Sequence, residues 1–243
     1  MLWINTTSYV IDMETKEIVL PGEKIAKKEG KRVGRGAYFE NDDVFASVLG
    51  IPRISENEIM VIPLSGIYTP RIGDKVIGII ESVEISGWTV DINSPYTAFL
   101  PLSEGVSGFV DTARADLSRF FDKDDIIFCK ISKVTKNKTV QVSMRVIGAR
   151  KLYSGIIIKI TPTKVPRLIG RGGSMITLIK DRTNCEITIG QNGIVWIRGE
   201  NKAKAIEAIL TIEKESHTVG LTEKIEKMLG VEIKTKSDSD EEV

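Results

Sequence analysis

Cysteine and histidine are so scarce in this chain that several classes of function fall away before any motif is read. The two cysteines, Cys129 and Cys185, stand far apart and neither belongs to a CxxC pair. That excludes a zinc ribbon and leaves no disulfide framework, and it points to a reducing, cytoplasmic setting. Around the single histidine, His217, no Ser/His/Asp set can be built. The acidic pairs Asp42-Asp43, Asp124-Asp125 and Glu241-Glu242 fall in turns or in the tail, whereas paired acids of a nuclease site would have to converge on a metal. No catalytic residue, metal ligand or cofactor is therefore expected. Long apolar runs are missing too: none approaches the ~18 residues of a membrane span. The start, Met1-Leu-Trp-Ile-Asn-Thr6, lacks the basic and apolar regions of a secretory signal.

A surplus of positive charge is also lacking. Lysine and arginine number 34 against 33 acidic residues, a formal net charge of +1. A binder of duplex DNA ordinarily carries a clear basic excess, because many phosphates must be neutralised. Positive charge is instead concentrated locally. Lys159, Lys164, Arg167, Arg171, Lys180 and Arg182 fall in one stretch, and acids gather in Ser237-Asp-Ser-Asp-Glu-Glu-Val243.

The 243 residues exceed one typical domain of ~100–150, and three segments can be read in them. The fold class expected is multidomain α+β. Residues 1–66 carry short apolar runs: Tyr9-Val-Ile11, Glu17-Ile-Val-Leu20, Tyr38-Phe39, Asp43 to Leu49 and Glu58 to Ile62. Pro21-Gly22, Gly34-Arg-Gly36, Gly50 and Pro52 punctuate them, as in a small β-domain. Residues 67–148 hold five further strand patterns, at Lys75–Val83, Gly87–Ile92, Ala98–Leu102, Ile126–Val134 and Thr139–Met144. Trp88, Val90 and Ile92 alternate onto one face, and Phe99 is expected to pack inward with Leu100. Five strands with an excursion between the third and fourth suit a small closed barrel.

Residues 149–234 change character, and residues 235–243 form an acidic tail expected to be disordered. A strand at Ser154–Ile160 leads through Pro162 into a short helix through Val165 and Leu168. Gly170-Arg-Gly-Gly173 follows, then a helix with Ser174 as N-cap and Met175, Ile176 and Ile179 at core-facing spacing. Two strands joined by Gly190-Gln-Asn-Gly193 come next, Asn-Gly being a hairpin signal. A helix from Asn201 places Ala203, Ile206, Ile209 and Leu210 inward, with Glu213 completing its turns, and Leu221–Leu229 can form one more.

The glycine turn carries the chemistry. A turn without side chains, opening a helix, lets an incoming phosphate approach backbone N–H groups backed by the helix dipole. Gly170, Gly172 and Gly173 supply that opening, Arg171 a charge-assisted contact, and Lys164, Arg167 and Lys180 flanking charge. In this order of strands and helices the segment from Leu152 to His217 resembles a KH domain, which implies a loop that clamps about four nucleotides of single-stranded RNA. The loop departs from the KH pattern at Gly172, where a basic residue is usual, which implies a looser grip.

Arg71 to Arg145 resembles the S-one domain, an OB-type barrel, through Arg71-Ile-Gly-Asp-Lys-Val-Ile-Gly78, Gly87-Trp-Thr-Val-Asp-Ile92 and Ala98-Phe-Leu-Pro-Leu-Ser103. The family's base-stacking aromatics and histidine correspond to Ser86, Thr89 and Pro101, so its usual base contacts are not expected. Arg114, Arg119, Lys123, Lys136 and Lys138 remain to line a path for phosphates. The module order, with Pro21-Gly-Glu23, is similar to that of the RNA-binding cap subunits of the exosome, the archaeal form in particular. The resemblance implies a non-catalytic protein that recruits single-stranded RNA and guides its 3′ end through a central pore. It implies docking by residues 1–66 on a hexameric ring of ribonuclease PH-like, phosphorolytic subunits, in three copies and away from any membrane. The same modules without a ring would suit a free-standing RNA chaperone or translation factor.

Overall fold

The computed structural model describes residues 18–106, 116–216, 218 and 220–230. The expected strand at Tyr9–Ile11, Arg114, His217 and the acidic tail lie outside the described residues. The chain divides into two compact units, Met1–Ser65 and Gly66–Val243.

In the first unit the described strands are short: β1 (Lys24–Lys27), β2 (Arg32–Val33), β3 (Ala37–Glu40), β4 (Asp43–Ala46), β5 (Gly50–Ile54) and β6 (Glu58–Pro63). They form two three-stranded sheets, ordered β1-β4-β3 and β2-β6-β5. Val19, Ala46 and Val61 make a small core between turns. Gly50 and Pro52 do not interrupt the chain as their residue types suggest. They lie within β5, an edge strand, where a proline's missing N–H costs no ladder bond on its open side. Of the expected run at Glu17–Leu20, the described residues 18–20 make an isolated bridge between Val19 and Gly50.

The second unit opens with the barrel: β7 (Lys75–Glu84), β8 (Gly87–Asp91), β9 (Ala98–Pro101), the single turn α1 (Leu102–Gly105), β10 (Ile126–Val134) and β11 (Val140–Ser143). The order β11-β9-β8-β7-β10 closes through a β10–β11 pairing, so the five strands form the expected barrel. Trp88, Val90 and Ile92 are fully buried, as their alternation requires, and Trp88 Nε1 donates to the Phe121 carbonyl at 2.8 Å. Phe99 does not join them. Ala98 and Leu100 take the inward positions of β9, so Phe99 faces out beside Thr89 and Gln141, its cross-strand partners. The period of two, applied to Leu100, already assigns Phe99 to the outer face.

A sixth strand, β12 (Arg150–Leu152), pairs with β10 on the outside of the barrel. Beyond it run β13 (Ile156–Lys159), α2 (Val165–Ile169), α3 (Ser174–Thr183), β14 (Glu186–Ile189), β15 (Ile194–Arg198), α4 (Lys202–Lys214) and α5 (Leu221–Met228). The three strands form an antiparallel sheet, β13-β15-β14, with helices packed on one face over Ile187, Val195 and Ile197. Helix α4 presents Ala205, Ala208, Ile209 and Ile212 to that core, while Ala203 and Leu210 are exposed. The expected inward stripe is thus rotated: apolar residues occupy two overlapping helical phases here, and the phase that carries two small alanines fits closest to the sheet.

The other face of the sheet is covered as well. Ile194 and Trp196 alternate with Val195 and Ile197, and all four are buried. Ile194 and Trp196 pack with Ile157 against Ile77, Ile126, Phe128 and Leu152 on the outside of the barrel. Fully burying an isoleucine is worth about 1.5–3 kcal/mol, so the barrel and the βααββα fold share a core and do not swing on a linker.

Candidate nucleic-acid interface

The glycine turn forms where a short helix ends and a longer one begins. Gly170 terminates α2 at φ 75°, and its N–H donates to the Pro166 carbonyl at 3.0 Å. Gly172 (φ 60°, ψ 18°) and Gly173 (φ 84°, ψ 9°) then adopt left-handed conformations. Gly173, not Ser174, is the N-cap of α3, with Ser174 its first helical residue, and no side chain caps the first turn. Gly173 holds the last non-helical conformation and Ser174 is already helical at φ −58° and ψ −44°, so the cap falls on the glycine. The N–H groups of Gly173 and Ser174 donate to the carbonyls of Gly170, at 3.3 Å, and Arg171, and the positive end of the helix dipole beyond them is unobstructed by any capping side chain.

The three glycines differ in what surrounds them. A Cβ on Gly170 would stand 2.8 Å from the Met175 backbone N and Cβ, whereas Gly172 and Gly173 have open space within 4 Å. Gly170 is therefore needed for the turn to close on α3, and the other two leave the surface open to a ligand's backbone.

The structure gathers some of the expected cations at this turn and sends others elsewhere. Arg171 lies in the turn itself and is exposed. Lys164 and Arg167 lie on the α2 side, but one Arg167 Nη donates to the Thr218 carbonyl at 3.2 Å, toward the chain entering α5. Lys180 sits in the last turn of α3, six residues or roughly 9 Å along the axis from Ser174. There it complements the negative helix end and does not flank the glycines. The expectation that it stands within a turn of them counted sequence distance, which a helix converts into axial length.

On the barrel, Arg119 and Lys123 are exposed in the β9–β10 excursion, and Lys136 and Lys138 in the β10–β11 turn. They form no single patch. The excursion is tied to the Trp88 end of β8 through the Phe121 carbonyl, whereas Lys138 Nζ stands 5.7 Å from the Tyr96 ring, beyond the far end of β8. Positive charge thus occupies both ends of the barrel. Among the described residues no group of three or more His, Cys, Asp or Glu could hold a metal ion, and no helix is long and apolar enough to cross a membrane.

One residue pair that matters escaped the motif reading. Gly190-Gln-Asn-Gly193 does make the expected turn, with Gly193 at φ 81°. Its Asn192, however, is fully buried against the barrel: Nδ2 donates to the carbonyls of Ile77 at 2.7 Å and Ile92 at 2.8 Å, and Oδ1 accepts from the Ile77 N–H at 3.3 Å. Trp196 is its apolar counterpart, lodged where Gly155 has no Cβ to obstruct the indole. A signal was present: Ile194 to Ile197 is apolar on both faces, the pattern of a strand covered on both sides.

Comparison with known proteins bears on this geometry. Residues 16–65 match the family model "Exosome RNA binding protein RRP4 N-terminal domain", residues 67–133 match "RRP4, S1 domain", and residues 155–203 match "KH domain". The chain is 44% identical over 224 residues to the exosome complex component Rrp4 of Pyrococcus abyssi, covering 90% of this chain and 84% of that protein. The Picrophilus torridus protein of the same name is 42% identical over 219 residues, covering 89% of this chain and 94% of its own. The chain belongs to the exosome Rrp4 family. A solved structure provisionally described as an exosome complex RNA-binding protein superposes with a TM-score of 0.63 at 35% identity, covering 68% of this chain and 95% of that one. Members of the Rrp4 family are RNA-binding exosome subunits with S1 and KH domains, not catalytic ones.

Proposed function

We propose that this chain is a non-catalytic cap of an exosome, recruiting single-stranded RNA and guiding its 3′ end into the pore of a phosphorolytic ring. The observation that carries the reading is the uncapped first turn of α3 behind the open positions Gly172 and Gly173, with Arg171 exposed beside them. Backbone amides and one guanidinium recognise phosphate without regard to base, as a protein passing RNA along requires. The exposed barrel cations Arg119, Lys123, Lys136 and Lys138, with Arg114, serve the same strand electrostatically. The assembly is three such chains on a hexamer of ribonuclease PH-like subunits, docked by residues 1–66 and working in the cytoplasm.

The test is reconstitution with purified ring subunits. Native mass measurement is expected to give three copies per hexamer, and a chain lacking residues 1–66 to stay unassembled. A truncated chain that still joins the ring would overturn the docking assignment, and absence of RNA binding by the full chain would overturn the cap reading.

A further inference from the structure

The side chain of Asn192 ends a β-ladder that belongs to another domain. Strands β7 and β8 pair as far as Ile79 and Asp91; beyond that point β8 leaves, and Asn93 turns away at φ 53°. The carboxamide of Asn192 enters the gap. It satisfies Ile77 on both its N–H and its carbonyl, and bridges to the Ile92 carbonyl of the departing strand. In return Asn93 Nδ2 donates to the Asn192 carbonyl at 3.0 Å. The neighbouring Gln191 extends the pairing, its N–H donating to the Lys75 carbonyl at 2.9 Å and its Oε1 accepting from the Lys75 N–H at 3.2 Å. A hairpin tip thus completes a sheet edge with its own amides, a directional contact that fixes orientation where apolar packing alone would tolerate sliding.

What lies on either side of this contact gives it a use. On the barrel side, the loop that holds Asn93 continues to Tyr96, whose ring faces Lys138. On the other side, the Ile160 N–H donates to the Gly193 carbonyl at 2.8 Å, and Pro162 packs at Gly193, where the chain enters α2. Helix α2 has only five residues, Val165–Ile169, roughly 7.5 Å of axis, and it ends at the glycine turn. Asn192 therefore stands between an aromatic-and-lysine end of the barrel and the phosphate-binding turn.

We propose that Asn192 is a positioning residue for RNA, holding the Gly170–Gly173 turn and the Tyr96–Lys138 end of the barrel in one geometry so that a single strand crosses both. The proposal rests on the RNA-binding reading above. Two modules held rigidly at the right spacing bind a long strand more tightly than either alone, because the second contact forms within the first complex. Loosening the joint spreads the second site over many orientations and lowers its effective concentration.

Two variants of the full chain test this. Asn192→Ala removes the carboxamide. Gly190→Ala keeps the carboxamide in the chain but places a Cβ 2.2 Å from its Oδ1 and 2.7 Å from the Ile77 N, displacing both the side chain and the hairpin from the barrel. Amide hydrogen exchange at Ile77 reads the joint without RNA and is expected to lose protection in both. Fluorescence anisotropy then compares an oligoadenylate of about four nucleotides, the length a KH loop clamps, with one about three times longer. The longer RNA is expected to bind the wild type at least about tenfold more tightly. Both variants should lose most of that advantage while the short RNA stays within about twofold of its wild-type affinity. An intact long-RNA advantage despite lost Ile77 protection would overturn the proposal. So would equal weakening on both lengths, the mark of a merely structural role. A wild-type chain that binds neither length would instead remove the RNA reading, a result visible before any variant is made.

Discussion

At the scale of single residues, glycines in one motif have opposite tolerances. Replacing Gly170 drives a Cβ into the Met175 backbone at a left-handed φ of 75°, so Gly170→Asp mixes folding damage with any loss of binding. Gly172 has open space and the conformation that aspartate and asparagine tolerate best among substituted residues. Arg171→Asp/Gly172→Asp is therefore expected to leave the thermal midpoint nearly unchanged while reducing RNA affinity by about tenfold or more, the charge-assisted contact of Arg171 alone being worth about 1.5–3 kcal/mol. Anisotropy at fixed salt checks the affinity and calorimetry the fold; unchanged affinity would remove the turn as the site. Cys129 supports a second expectation. Burial pushes its thiol from 9.0 up to about 12, so between those values the unfolded chain gives up a proton that the folded chain keeps. Stability must fall as pH rises through that window, by at most about 1.4 kcal/mol per unit. In urea titrations the advantage of wild type over Cys129→Ala should shrink by about 1 kcal/mol from about pH 8 to about pH 10. Burial, and next its hydrogen bond to Asp74, also push Tyr68 upward, but from 10.0, so the lower part of the window belongs to the thiol.

At the scale of elements, α4 gives the sharpest contrast. Ile209→Ala should cost about 2–5 kcal/mol because Ile209 fills the core against the sheet. Leu210→Ala, at an exposed position, should change stability by less than about 0.5 kcal/mol. Equal effects in denaturant titrations would mean the helix is rotated from the orientation described. Elements whose cause is local were legible in the sequence: the five barrel strands from their alternation, the glycine turn from its place between two helical patterns, and the β14–β15 hairpin from Asn-Gly. Elements whose cause is a neighbour were not. Pro52 reads as a breaker until β5 is known to be an edge strand. Arg150–Leu152 lies outside every strand expected from the sequence, and β10 supplies its ladder. Lys180 looks adjacent to the glycines until a helix carries it away. Asn192 shows the limit most clearly, since its turn conformation follows from the Asn-Gly pair, but its three hydrogen bonds come from residues about a hundred positions upstream.

At the scale of the whole molecule, the near-neutral charge matters more than any one cation. With a net charge of +1, the chain generates little long-range attraction for RNA, and the contacts proposed for it are local: one helix terminus with an arginine, and lysines at two ends of a barrel. Each phosphate contact on a single strand contributes about 0.7 to the slope of log affinity against log salt. A strand that crosses the Arg171 turn and only the Lys136–Lys138 end of the barrel meets two or three contacts and should therefore lose only about tenfold between 50 and 200 mM salt, where a basic nucleic-acid binder loses about a thousandfold or more. Such weak holding suits a protein past which RNA must move, and strength must then come from number. If the chain sits in three copies around a pore, RNA that spans two of them binds by effective concentration, not by new chemistry. The expectation is that assembled caps bind a long oligoadenylate at least about tenfold more tightly than the isolated chain, while a four-nucleotide RNA gains little. The comparison must use a ring whose own active sites are inactivated, so that the gain belongs to the caps. Equal affinity for long RNA in the free and assembled states would mean that each chain acts alone, and that the near-neutral surface serves something other than sliding.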